Sequence, residues 1–288
     1  MVRAYGTLAI VALVLTGCQN SAPTQSGLEG MEHVHGMGVN PADERLYIAT
    51  HFGMWRMTVD GGDTERITDS LQDTMGFTVA GPDHFYGSGH PDLEDPVLNQ
   101  PPQPPLLGLI ESTDAGRTWQ SRSLLHEADF HGLTFAHDTL YAADSTNRRF
   151  MVSSDEIDWE ERAAIGCQDV DVSPTDPDLL VGICDSDDVA YGVYISRDGG
   201  ASWSATAAPI LRTTTWQDDT ELWGASDDGG IHVSADDGVS WEGRGVLPGA
   251  VTALFDAGSW LFAAVIDDGI YRSDDAAATW HRIYAEPR

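Results

Sequence analysis

The chain contains no lysine. All 15 of its basic residues are arginines, and they face 46 aspartates and glutamates among 288 residues, for a formal net charge of −31. A surface of that sign repels phosphate backbones and anionic headgroups, which argues against nucleic acid as a partner and favours cations and neutral ligands. Because lysine is wholly missing, the acidity reads first as a solvated surface shaped by codon bias. Cysteine is nearly as scarce, with Cys18, Cys167 and Cys184 the complete set. After the first 18 residues no segment is apolar enough to cross a bilayer. Dense metal-ligand spacings such as HExxH are missing too, so a metal or catalytic site has to be assembled from residues distant in sequence.

What is present begins with MVRAYGTLAIVALVLTGC, which has one positive charge at Arg3, an apolar run over 8–15 and small residues before Cys18. This is the pattern of a secretory signal. Leu15-Thr16-Gly17-Cys18 resembles a bacterial lipobox, which implies removal of residues 1–17 and a lipid on Cys18. Residues 18–30 are small and polar and suit a flexible tether. The expected location is the cell envelope, lipid-anchored on the outer side of the cytoplasmic membrane. There Cys167 and Cys184 are free to form a disulfide.

An eight-residue pattern then recurs: STDAGRTW from 112, SRDGGASW from 196, SADDGVSW from 234 and SDDAAATW from 273, with aspartates Asp114, Asp198, Asp236 and Asp275. Degraded copies start at 58 (TVDGGDTE) and 153 (SSDEIDW). The spacing is close to the roughly 40–45 residues of a four-stranded propeller blade. Before each copy the same order repeats: apolar strand, turn, strand, variable loop, strand. In the octapeptide, aspartate and serine side chains satisfy turn amides, glycine takes a left-handed position and tryptophan packs into the blade. The pattern resembles the Asp box, or BNR repeat, of the sialidase-like and glycosyl hydrolase-like β-propellers. In that family the box marks a turn and carries no chemistry, so the resemblance implies architecture. The expected fold is all-β, a single six-bladed β-propeller of four-stranded antiparallel blades over residues 31–288, with seven blades as the alternative.

Up-and-down blades place the octapeptide turns on one face and the second-to-third-strand loops on the other. Aligning NPADERLYIATH (40–51) with SPTDPDLLVGIC (173–184) sets Cys167 opposite Cys184, close enough for a disulfide, and Val34 opposite His51. Side chains alternate along a strand, so His33 and His35 share one sheet face while His51 starts on the other. Their convergence requires a bulge or a rotated strand end. Across blades, LYIATH aligns with FYGSGH and HGMGV with HGLTF, which pairs His51 with His90 and His35 with His131. Blades 1 to 3 thus bring His33, His35, His51, His90 and His131 to one rim, with Glu32, Asp73, Asp129 and Asp144 at the same level. Gln168, Asp169, Arg212 and Asp227 take the matching places in blades 4 to 6. His84, His126, His137, His232 and His281 read as surface residues. The proline-dense insertion 90–106 suits a wall or lid over the channel mouth.

The leading functional reading is a tethered, monomeric propeller whose rim binds a small ligand, a glycan, a metal or a protein. Imidazoles of His35, His51, His90 and His131 are the candidate ligands for zinc or copper, and His33, Gln168 and Arg212 are further ligand contacts. The family resemblance implies a second reading, glycoside cleavage, with Asp73, Asp129, Asp144 and Asp169 as candidate carboxylates. A true sialidase is disfavoured, because there is no Arg-Ile-Pro segment and Arg212 alone stands near the rim, with Arg148 and Arg149 in a nearby loop.

Overall fold

A computed structural model describes residues 30–185, 191–218 and 220–287. Cys18, the signal segment and most of the expected tether lie outside the described residues. The chain forms six sheets of four antiparallel strands, each taken in sequence order, and these are the six blades of a β-propeller. Blade 1 is β1 (Val34–Val39), β2 (Arg45–Thr50), β3 (Gly53–Thr58) and β4 (Glu65–Arg66). Blade 2 is β5 (Asp73–Gly81), β6 (His84–His90), β7 (Leu109–Ser112) and β8 (Gln120–Ser123). Blade 3 is β9 (Phe130–Ala136), β10 (Thr139–Asp144), β11 (Arg149–Ser153) and β12 (Glu160–Ala163). Blade 4 is β13 (Gly166–Val172), β14 (Leu180–Asp185), β15 (Gly192–Ser196) and β16 (Ser204–Ala205). Blade 5 is β17 (Thr213–Trp216), β18 (Leu222–Ala225), β19 (Gly230–Ser234) and β20 (Glu242–Val246). Blade 6 is β21 (Val251–Asp256), β22 (Leu261–Val265), β23 (Gly269–Ser273) and β24 (His281–Ala285).

Both faces of each blade are covered by neighbours, so the second strands β2, β10 and β22 are buried almost end to end. Each of the six blade junctions has its own apolar cluster. The junction of blades 6 and 1 closes the ring with ten buried side chains, among them Met31, Val34, Leu46, Ile48, Phe262 and Ile270. The segment after Gly30 does not pair with β24 as a strand, although the sequence allows it; β24 pairs with β23 alone among the described residues. Instead Met31 is buried, the Glu32 N–H donates to the Glu286 carboxylate, and Arg272 Nη1 donates to Val59 O at 3.0 Å. With about 1.5–3 kcal/mol for each large apolar side chain buried and about 1 kcal/mol net per hydrogen bond, packing dominates this closure.

The octapeptide turns lie between the third and fourth strands and repeat one hydrogen-bond set. In blade 5, Ser234 Oγ accepts from Gly238 N (2.9 Å) and donates to Asp236 Oδ1 (2.9 Å). Asp236 accepts from Ser240 N (2.8 Å) and the Ser240 hydroxyl (2.6 Å). The turns at Asp114, Asp198 and Asp275 reproduce these contacts. The glycine position also joins blades. Gly200 sits at φ +90° with the place of a Cβ 2.0 Å from Phe150 of the preceding blade, so only glycine fits.

The disulfide joins Cys167 to Cys184 across β13 and β14, at directly opposed positions.

Because Ser234 is buried and holds the Gly238 amide, Ser234→Ala strands that donor. The expected loss is about 1–3 kcal/mol of unfolding free energy, read from the midpoint of a urea titration.

Candidate metal centre

The rim opposite the octapeptide turns is built from the first residues of the innermost strands and the last residues of the second strands. In blade 1 the pairing slips between Val34 and Gly36, which leaves His35 as the extra residue of a β-bulge. Val34 therefore faces Thr50, not His51, and the gap-free alignment is off by one at this point. The bulge turns His35 toward the side on which His51 lies, so the two rings stand 6.2 Å apart, and His33 and His35 are 4.7 Å apart.

These imidazoles gather around Asp73, the first residue of β5 in the next blade. His35 Nε2 is 3.2 Å from Asp73 Oδ1, His51 Nδ1 is 3.0 Å from Oδ2, and His90 Nδ1 is 3.4 Å from Oδ2. The His35 contact is close but misaligned for a hydrogen bond. Both His35 Nε2 and Asp73 Oδ1 are buried without a hydrogen-bond partner. Burial pushes the Asp73 carboxyl up, but the approach of His35 and His90 and the fields of His35 and His51 outweigh it and hold it well below the usual carboxylate range. The hydrogen bond to Asp73 raises His90 against the opposing effect of burial, with Asp129 adding to the rise. His33 is lowered, first by burial and then by the charges of His35, Arg212 and His51.

A second carboxylate continues the chain of contacts. His90 Nε2 lies 3.7 Å from Asp129 Oδ2, which also receives His131 Nε2 at 3.1 Å and the Ser145 hydroxyl at 3.2 Å. His90 thus spans two carboxylates from adjacent blades. Asp129 Oδ1 is buried and unpaired.

The other sequence candidates divide. Gln168 and Arg212 line the rim cavity; Gln168 accepts from the Tyr191 hydroxyl and Arg212 pairs with Asp227 at 2.9 Å. Asp144 does not face the channel as expected. It is fully buried at the end of β10, held by Arg149 Nε at 2.9 Å and Asn147 Nδ2 at 2.7 Å. Asp169 lies in the channel wall, where it accepts from Thr214 N at 2.8 Å. Burial raises the carboxyls of Asp169 and Asp171, and the charge of Asp169 raises Asp171 further. Glu32 turns its amide to the ring closure and not its carboxylate to the cluster.

The insertion is not a lid: none of residues 91–107 lines the channel cavities. It is tied back at its root, where Asp92 accepts from Leu71 N at 2.7 Å, and at its end, where Pro104 O lies 2.8 Å from His126 Nδ1. His84, His126 and His232 are half-buried, whereas His137 and His281 are exposed as expected.

His35, His51 and Asp73 could together hold a metal ion, since one ligand atom from each lies within 4.8 Å of the others. The sequence does not single out Met75, which lines the same channel. Its signal is a Met-Gly pair in register with His35-Gly36 and His131-Gly132. That glycine is required by packing, since a Cβ on Gly76 would stand 2.4 Å from Phe130 O.

Fold and site together define a six-bladed propeller with a histidine–carboxylate cluster at one channel mouth. No protein-family model matches the chain. Among curated proteins it is similar to the photosystem II assembly lipoprotein Ycf48 of Prochlorococcus marinus, 24% identical over 145 residues; the match covers 46% of this chain and 41% of that protein. Among solved structures it is similar to YCF48 bound to D1 peptide, with TM-score 0.54, 13% identity and 82% of this chain and 91% of that one covered. A gluconolactonase-like protein gives TM-score 0.60 at 15% identity, over 82% of this chain and 87% of the other. These structural likenesses are those of the propeller fold.

Asp256, on the wall of the larger channel cavity, supplies a pH test. Burial, with Asp218 and Glu221 adding, pushes its carboxyl up to about 6 against a hydrogen bond from Gly258 N. The folded state then holds this proton more tightly than the unfolded chain, so stability falls as pH rises from the ordinary carboxylate range through about 6. Asp256→Asn is expected to raise Tm at pH 7.5, with the gain fading by pH 4 in thermal melts.

Proposed function

We propose that the protein is an envelope-tethered propeller whose rim binds a divalent transition metal, zinc or copper, through His35, His51 and Asp73, with His90 completing the set. The observation that carries this reading is the convergence of His35 Nε2 and His51 Nδ1 on the Asp73 carboxylate at 3.2 and 3.0 Å, with His35 Nε2 and Asp73 Oδ1 buried and outside any well-aligned hydrogen bond. Buried polar atoms without partners are rare, and a cation between them removes the desolvation cost that each otherwise bears. The net acidity of the chain draws cations to the mouth. The lipobox-like segment ending in Cys18 supports the tether and the location outside the cytoplasmic membrane.

Glycoside cleavage is less well supported by the geometry. Asp73 and Asp129 are engaged by histidines, Asp144 by Arg149, and Asp169 by the Thr214 amide. A protein partner at the same rim is the second reading. The likeness to YCF48 bound to D1 peptide favours it, as do Leu93 and Val97, 77% and 67% exposed on the insertion beside the rim. Saturable binding of the D1 peptide, weakened in Leu93→Ser, is the result this reading expects.

Elemental analysis of the purified protein tests the metal. One equivalent of zinc or copper is expected, with affinity at least tenfold weaker in His51→Ala and Asp73→Ala. Chelation should lower Tm in the wild type and leave Asp73→Ala unmoved. Metal-free wild type that also fails to take up zinc or copper on titration overturns the reading.

A further inference from the structure

The bulge in blade 1 is not isolated. The pairing of first and second strands slips at the same place in four more blades, and the extra residue is Met75 in blade 2, His131 in blade 3, Gln168 in blade 4 and Thr252 in blade 6. A bulge re-aims one side chain, and here it does so toward the channel. The channel contains two cavities of about 460 and 230 Å³, the smaller at the rim. His35, Met75 and His131 line both, as do Asp169 and Thr213. These five residues are therefore the neck between the cavities, and three consecutive blades contribute two imidazoles and a thioether to it.

Met75 is set apart from the other methionines. Met31, Met37, Met54, Met57 and Met151 all belong to the apolar clusters between blades, where methionine serves as an adaptable filler. Met75 belongs to none of the apolar clusters and is only half-buried. Its sulfur adds nothing for a hard cation, but thioether and imidazole donors together favour a soft one.

We infer that the neck is a copper(I) site, formed by the imidazoles of His35 and His131 and the thioether of Met75. All three donors are neutral, which suits a monovalent ion. This inference rests on the metal reading above, with which it shares His35, and adds to it a monovalent ion and a ligand that zinc does not need.

Titration against bicinchoninate-bound copper(I), under nitrogen with ascorbate so that the Cys167–Cys184 disulfide stays intact, separates the two. The wild type is expected to withdraw one copper(I). Met75→Leu, which nearly conserves volume and keeps the fold, should weaken copper(I) binding at least tenfold and leave zinc affinity within twofold. His131→Ala should weaken copper(I) similarly. X-ray absorption of the copper-loaded wild type should show a sulfur neighbour that Met75→Leu lacks. Copper(I) retention unchanged in Met75→Leu, or no sulfur neighbour, overturns the inference. Zinc binding without copper(I) binding in the wild type also ends it and leaves the rim centre standing, whereas binding of neither metal ends both.

Discussion

The channel rim depends on one extra residue in five of the six innermost strands. A regular antiparallel pair alternates its side chains between the two faces, and in a propeller both faces belong to neighbouring blades. The slip at Val34/Gly36, and its counterparts at Met75, His131, Gln168 and Thr252, breaks the alternation near the rim in five of the six blades. The residue so released is free to differ from blade to blade without disturbing a core. Blades 1 to 3 use that freedom for imidazole and thioether, blades 4 and 6 for amide and hydroxyl.

The ring itself was readable from sequence because its punctuation is chemical. A serine that holds a glycine amide, an aspartate that holds the next hydroxyl and a tryptophan that closes the turn must recur in that order, so four good copies and two degraded ones counted the blades. The cysteine pair was readable too, and the two stand opposed although β13 carries a bulge next to Cys167. The bulges were not readable. An inserted residue in one strand leaves the apolar pattern nearly intact, and it moved His35 relative to His51 by one position. Met75 stayed hidden because a methionine in a strand reads as core. Asp144 misled in the opposite direction: it stands at the end of β10, yet it is fully buried and held by Arg149 of the same blade.

The carboxylates organise the histidines more than the reverse. Asp73 comes from blade 2 but draws two of its three imidazoles from blade 1, and Asp129 from blade 3 reaches back to His90 of blade 2. These three contacts cross junctions that the apolar clusters also stitch. The cluster reports on blade spacing, and a change at a junction changes the distance between donors. Rigidity of the ring and geometry of the site are the same property seen at two radii.

Gly30 lies against Glu286 and Pro287, and β1 begins at the histidine rim. The polypeptide thus enters and leaves the ring on one side, the side that carries the cluster, while the octapeptide turns occupy the other. Any attachment made upstream of Gly30 consequently pulls on the rim face. The octapeptide turns, on the far face, are left clear of both chain ends.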